Sequence, residues 1–205
     1  MKRAFPILLC LVLAAGAALA QTGSPPAQKE AVATFAGGCF WCTEADFDKV
    51  AGVTRTTSGF IGGKVANPSY QQVTTGITGH TEAVEIVYDP SKVTYQQLLD
   101  VFWRNHDPLA KDRQFCDRGD MYRPGIFFHS DEQRQLAEAS KKQVQAKFAP
   151  RAVQTEITKA GTFYKAEDYH QDFHQKNPVR YKLYRFNCGR EQRLEELWGK
   201  SDKSS

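Results

Sequence analysis

Ala31-Val32-Ala33-Thr34-Phe35-Ala36-Gly37-Gly38-Cys39-Phe40-Trp41-Cys42-Thr43-Glu44 changes character at its glycine pair. The first six residues are a short apolar run, which reads as a buried strand, and the glycines end it. Beyond them Phe40, Phe47 and Val50 recur at roughly helical spacing, with Asp46, Asp48 and Lys49 on the other side, and Gly52 is a natural stop. A cysteine therefore stands at the start of a helix, after two flexible residues and before two aromatic rings. The unpaired N–H groups and the dipole of a helix N-terminus favour an anion, so Cys39 reads as a nucleophile poised to become a thiolate. Phe40 and Trp41 have the ordinary role of core residues; beside such a thiol they can also wall a pocket for an apolar, sulfur-bearing side chain.

Outward from that stretch, strands and helices alternate irregularly. Val53–Thr57 is rich in β-branched residues and reads as a strand; Ser58–Tyr70, with three glycines and Asn67-Pro68, reads as a loop. Glu82–Tyr88 alternates as a strand does. Thr94 with Gln97 forms the signature of a capping box, opening a helix through Leu98, Leu99, Phe102 and Trp103. Asp107–Pro124 is polar and aperiodic, a length of irregular chain that in a compact domain is functional or mobile. Ile126–His129 is a strand, and Ser130 caps a helix to about Phe148 whose apolar face is Leu136, Ala139, Val144 and Phe148. A strand over Ala152–Thr158, a short helix over Ala166–Lys176 and a terminal helix over Arg190–Leu197 complete the reading. The class is α+β.

The first 20 of the 205 residues stand apart. Lys2 and Arg3, an apolar run from about Leu8 to Leu19, and Ala18-Leu19-Ala20 make a secretory signal peptide cut before Gln21. The expectation is an exported, periplasmic protein. Leu9 before Cys10 speaks against a lipoprotein. Residues 21–30 read as a flexible lead-in, 31–199 as one domain and 200–205 as a disordered tail. No later segment could span a membrane. The formal charge of +4 falls to +2 (4 − 2) once the leader cations are removed, which excludes a nucleic-acid partner. Cys39, Cys42, Cys116 and Cys188 remain, and in an exported chain four cysteines can simply be two structural disulfides. The closeness of Cys39 and Cys42 weakens that reading, because a bond across two residues closes little loop entropy, and a pair so tight is more often redox chemistry than a staple.

Gly38-Cys39-Phe40-Trp41 resembles the active-site signature of the type A peptide methionine sulfoxide reductases. Asn67-Pro68-Ser69-Tyr70, Thr78-Gly79-His80-Thr81-Glu82-Ala83-Val84, Tyr88-Asp89-Pro90, His106-Asp107-Pro108 and Ala166-Glu167-Asp168-Tyr169-His170-Gln171 resemble further family segments in the family's order. The resemblance implies a cofactor-free, metal-free reduction of the S-epimer of methionine sulfoxide, free or in proteins, and recycling by a thioredoxin-like donor. It implies that Cys39 attacks sulfur, that Glu82 protonates the oxygen, and that Tyr70 and Tyr122 hydrogen-bond that oxygen. Phe40 and Trp41 would hold the methyl group and Asp117 would help to bind the substrate. Without the resemblance Glu82 reads as a strand surface residue and Asp117 as a loop residue. The expected fold is a single ferredoxin-like mixed sheet with flanking helices and long loops, acting as a monomer.

Attack by Cys39 leaves a cysteine sulfenic acid, which a second thiol must resolve. Cys188 ranks first, being followed by glycine in a late segment able to swing toward the site; Cys42 ranks second and Cys116 third. Many relatives carry glycine at the position of Cys42 and asparagine at that of Cys116. Two rival readings remain: a thiol–disulfide oxidoreductase working through Cys39 and Cys42, and a disulfide-stapled secreted binding module. His170 and His174 have metal-ligand spacing on a helix, but no glutamate base lies between them, and the resemblance makes His170 structural. Gly62-Gly63-Lys64 lacks the spacing of a phosphate loop, and Lys141, Lys142 and Lys147 are a solvated face.

Overall fold

β1 (Ala31–Ala36) runs through the middle of a six-stranded sheet and carries the chain directly into α1 (Phe40–Phe47). β2 (Val53–Ile61), α2 (Tyr70–Thr74), β3 (Thr81–Tyr88) and α3 (Tyr95–Arg104) follow. The segment after α3 holds a small hairpin, β4 (Arg113–Gln114) and β5 (Asp117–Arg118), and a 3-10 turn over Asp120–Tyr122. Then come β6 (Gly125–Phe128), α4 (Asp131–Phe148), β7 (Glu156–Lys159), β8 (Tyr164–Lys165), α5 (Phe173–Lys176), α6 (Pro178–Asn187) and α7 (Arg190–Trp198). This computed structural model describes Met1 and residues 30–200; the rest of the expected leader, the lead-in over 21–29 and the tail over 201–205 lie outside the described residues. None of the described helices is long and apolar enough to cross a membrane.

The sheet order is β7-β6-β1-β3-β2-β8, antiparallel throughout except for the β6–β7 pair. Its inner four strands, β6-β1-β3-β2, with α1 and α3 as connections, form the β-α-β-β-α-β arrangement of a ferredoxin-like fold. β1 is buried on both faces, as an unbroken apolar run requires. Toward the helices Phe35 stacks on Phe47, Tyr95 and Phe102 at 5.3, 6.0 and 4.9 Å between ring centroids. Each such buried ring contributes about 1.5–3 kcal/mol. On the opposite face Ala36, Ile61, Ala83 and Phe127 form a smaller cluster under Ala160 and Phe163.

The capping box of α3 is present: Thr94 and Gln97 each accept from the other's backbone N–H. Ser130 caps α4 by accepting from Gln133 N–H. The buried face of α4 departs from the expected one. It is Gln133, Ala137, Ser140, Val144 and Phe148, while Leu136 is half-buried and Ala139 exposed. Two polar residues can face the core because each meets a partner: Gln133 donates to Val32 O at 2.7 Å, and Ser140 accepts from the Trp103 indole at 2.9 Å.

Three other expectations are corrected. β2 continues through Ser58 to Ile61, because β3 offers partners as far as Thr81. Ala166–Lys176 is mostly turns, with helix only over Phe173–Lys176, because its polar side chains bind other elements instead of supporting a helix. α6 was not anticipated; Pro178 opens it at the one place where a missing N–H costs nothing.

Candidate active site

Gly37 and Gly38 let the chain turn from β1 into α1 against the 107–124 segment. Gly38 has φ +86°, and a methyl group there would sit 2.4 Å from Gln114 Cβ, so only glycine fits. Gln114 is itself fixed, exchanging two 2.8 Å hydrogen bonds with the Asp107 backbone. Cys39 is the N-cap of α1 and is 6% exposed. The first free N–H of the helix, that of Phe40, donates at 2.9 Å to Glu82 Oε2. Glu82 reaches this point from β3, opposite Phe60 in β2, on the helix-covered face of the sheet, and is fully enclosed.

Burial pushes the Glu82 carboxyl well above the usual range; the Phe40 N–H opposes this, while Asp117 and Cys42 add to it. A protonated carboxyl and a thiol thus meet at one helix terminus. The sequence argument for a ready thiolate at Cys39 meets an opposing force here. Burial, Cys42 and Glu82 all push the Cys39 thiol up, and the Tyr184 hydroxyl alone pulls it down. The helix terminus cannot overcome this, since its first N–H is already taken by Glu82. Cys42 behaves in the opposite way. A hydrogen bond from Cys39, with Arg190 and Arg185 nearby, outweighs burial and holds it at about 7. Both guanidinium groups are anchored on buried Asp46, at 2.9 Å for Arg185 and 3.5 Å for Arg190.

Aromatic side chains close the site. Trp41 stacks flat on Phe173 at 3.7 Å, meets Tyr184 edge-on at 5.7 Å, and donates through its indole to His170 Nδ1 at 3.0 Å. Burial pulls His170 down to about 4, so it stays neutral and accepts that bond. Phe40 packs on Phe60, Tyr70 and His170. Burial and the nearby Glu82 push Tyr70 up to about 12 and Tyr122 higher still. Both phenols are therefore donors at any physiological pH. Asp117 accepts a hydrogen bond from Tyr184, and burial raises its carboxyl.

The fold thus gathers Cys39, Cys42, Phe40, Trp41, Glu82, Tyr70, Tyr122 and Asp117 around one helix start. Cys116 and Cys188 are joined by a disulfide beside Asp117, with Cys116 exposed, while Cys39 and Cys42 are free. The segment expected as a helix is a clamp: Glu167 accepts from Tyr70 N–H, Gln171 exchanges two hydrogen bonds with the Ser58 backbone, and Asp172 N–H donates to Glu44. His170 and His174 face different partners, Trp41 and Asp48. Sequence reasoning missed Tyr184, Arg185 and Arg190 altogether. Recognising a helix over 178–187 would have put Tyr184 one turn before Cys188; nothing local marks the arginines.

Glu44 makes one measurable consequence. Burial, then Asp48 and Asp172, raise its carboxyl to about 7. A carboxyl raised on folding binds its proton more tightly in the folded state, so its contribution is present below the unfolded value near 4.5 and is lost as pH rises through 7. E44Q should remove that loss: in chemical denaturation between pH 5 and 8 the wild-type protein falls by about 2 kcal/mol more than E44Q. Parallel curves for the two proteins would show Glu44 to be unperturbed.

The family model described as peptide methionine sulfoxide reductase matches residues 31–202. A peptide methionine sulfoxide reductase MsrA of Bacillus licheniformis is 47% identical over 175 residues, covering 85% of this chain and 97% of its own. Among solved structures, Mxr1 of Saccharomyces cerevisiae in reduced form superimposes with a TM-score of 0.70 at 33% identity, over 77% of this chain and 91% of that one. The same yeast protein in complex with Trx2 superimposes with a TM-score of 0.52 at 24% identity, over 75% and 91%, a likeness of fold. Matched along almost every residue of its folded part, this chain belongs to the peptide methionine sulfoxide reductase family.

Proposed function

We propose that the chain reduces methionine S-sulfoxide, free and in proteins, to methionine, with Cys39 as nucleophile and Glu82 as acid. The observation that carries this reading is the buried Glu82 carboxyl bound to the N–H beside Cys39. A sulfoxide sulfur is a poor electrophile until its oxygen is protonated or hydrogen-bonded, so the reaction needs a thiolate and an acid together. Glu82 gives its proton to the oxygen, Tyr70 and Tyr122 hold that oxygen by hydrogen bonds, and Phe40 and Trp41 pack on the methyl group. Asp117 binds the substrate through water. The Cys39 sulfur bonds to the sulfoxide sulfur, and the protonated oxygen passes to Cys39 as its bond to the substrate sulfur and the new S–S bond break, so methionine leaves and Cys39 remains as a sulfenic acid.

Cys42 then attacks the Cys39 sulfur, and its proton leaves with the hydroxyl as water. Cys188 ranked first from sequence alone. The hydrogen bond between Cys39 and Cys42 and the pull of the two arginines toward a Cys42 thiolate favour Cys42 for this first bond. Cys188 and Cys116 supply the second stage: their dithiol exchanges with the buried bond, restoring Cys39 and Cys42 as thiols. The Cys116–Cys188 disulfide, with Cys116 exposed, is then open to a thioredoxin-like donor. The yeast relative's complex with Trx2 supports such a donor. Export to the periplasm, from the leader, and action as a monomer complete the reading.

The test is disulfide mapping of wild type and C188S after one turnover without reductant, alongside epimer-resolved product formation. Wild type should end with Cys116–Cys188 and C188S with Cys39–Cys42. A C188S protein that accumulates the Cys39 sulfenic acid beside a free Cys42 would make Cys188 the direct resolver. Equal rates on the R- and S-epimers would remove the substrate assignment.

A further inference from the structure

Cys116, Asp117 and Cys188 meet where the end of α6 reaches the β4–β5 hairpin. Among the described residues they are the one cluster of three or more cysteine, histidine and carboxylate side chains whose ligand atoms all lie within 4.8 Å of one another. The proposed relay gives the two cysteines two states. As a disulfide, each sulfur is held by the other; as a dithiol, they are two free sulfur ligands beside a carboxylate.

The contacts that join these segments do not need the S–S bond. Tyr184, one helical turn before Cys188, donates to Asp117 Oδ2. Just beyond Cys188, Arg190 lies over the Phe115 ring at 4.4 Å and donates to Asn105 O, and Arg193 pairs with Asp107 at 2.8 Å. The two thiols therefore stay beside Asp117 when the bond opens. Zinc in tetrahedral coordination takes sulfur at about 2.3 Å and carboxylate oxygen at about 2.0–2.2 Å, which sets the two sulfurs about 3.8 Å apart and each about 3.5 Å from the oxygen. Cys116 Sγ stands 3.7 Å from Asp117 Oδ1. The Tyr184 hydroxyl takes the other carboxylate oxygen and fixes the plane of the group, the outer support that metal-bound carboxylates have. Cys116 is exposed, so water can complete the fourth position. Thiolate ligands select a soft cation over magnesium or calcium. Arg190 brings an opposing charge, but that charge is met by Asp46 at 3.5 Å.

We propose that the dithiol form of the protein holds one zinc ion on Cys116, Asp117 and Cys188, and that the ion blocks the second stage of the relay. The ion binds as both thiols release their protons to water, and nothing is oxidised or reduced. Sulfurs held by zinc cannot attack the Cys39–Cys42 bond, so the protein stops after one reduction with the buried bond in place. The binding stands on the cluster alone; the arrest rests on the proposed relay.

Zinc is titrated, in competition with a chromophoric chelator, into the fully reduced protein, its disulfide form, and reduced C188S, D117N and C42S, with a thermal melt of each. Reduced wild type and C42S should each bind one ion and the disulfide form none. Affinity should fall by about a hundredfold or more in C188S and about tenfold in D117N. C116S takes the place of C188S if that variant does not fold. Undiminished binding in the folded cysteine variant overturns the site, and binding lost in C42S would place the ion on the buried pair instead. The reduced protein is then given excess L-methionine S-sulfoxide without reductant. Its two cysteine pairs should yield about two methionines per chain without zinc and about one with it, the second sample ending with Cys39–Cys42. About two methionines with zinc bound would remove the arrest. Bound zinc with no methionine in either sample would keep the site and remove the reductase reading itself.

Discussion

C39S is expected to lose sulfoxide reduction by about four orders of magnitude or more. The sulfur of Cys39 is the only atom in the proposed scheme that bonds to the substrate, and a serine hydroxyl, ionising far above any thiol, supplies neither the nucleophile nor a sulfenic acid. The protein itself should survive the change. Cys39 caps α1 without a side-chain hydrogen bond, and the helix start is held by Phe40 N–H and Glu82. Methionine release measured with each sulfoxide epimer, beside a thermal melt, checks both halves. Retained turnover in a well-folded C39S would end the assignment of Cys39, and the thiol–disulfide rival would then be tested by insulin reduction.

E82Q should cost about 10²- to 10⁴-fold in the first chemical step, the range of a general acid, while leaving the fold intact. The glutamine carbonyl can still accept from Phe40 N–H, so what is lost is the proton. The charge argument adds a second signature. Burial raises the Glu82 carboxyl, so its folded form holds the proton more tightly than the unfolded chain does. Its stabilisation is therefore full in acid and is lost as pH rises through that raised value; E82Q, with nothing to ionise, should be more stable than wild type in alkali and no more stable in acid. Single-turnover kinetics and denaturation at pH 5 and 9 report the two effects. An E82Q enzyme with the wild-type rate would move the acid elsewhere, with Tyr70 and Tyr122 the nearest donors.

Elements whose cause lies within a few residues were legible from the chain. The turn from β1 into α1 follows from an apolar run and a glycine pair, and the caps at Thr94 and Ser130 follow from short side chains three residues before a backbone N–H. The face of α4 was misplaced because Gln133 and Ser140 are buried by partners on other elements, Val32 and Trp103, which no periodicity reveals. Ala166–Lys176 has helical composition, but Glu167, His170 and Gln171 are satisfied by Tyr70, Trp41 and Ser58, and those distant bonds outweigh local propensity.

The candidate site divides in the same way. The sequence by itself determined that a cysteine with aromatic neighbours sits at a helix start, and its motifs carried the likeness that gave Glu82, Tyr70, Tyr122 and Asp117 their expected roles. Only the tertiary structure decided the charge on each group. Whether a thiol or carboxyl ionises depends on what surrounds it, and those surroundings come from remote parts of the chain: β3 brings Glu82 under α1, α6 brings Tyr184, and α7 brings Arg190 beside Cys42. Hence Cys39, the residue that seemed ready as a thiolate, is held up by burial, and Cys42, the unremarkable neighbour, is held down.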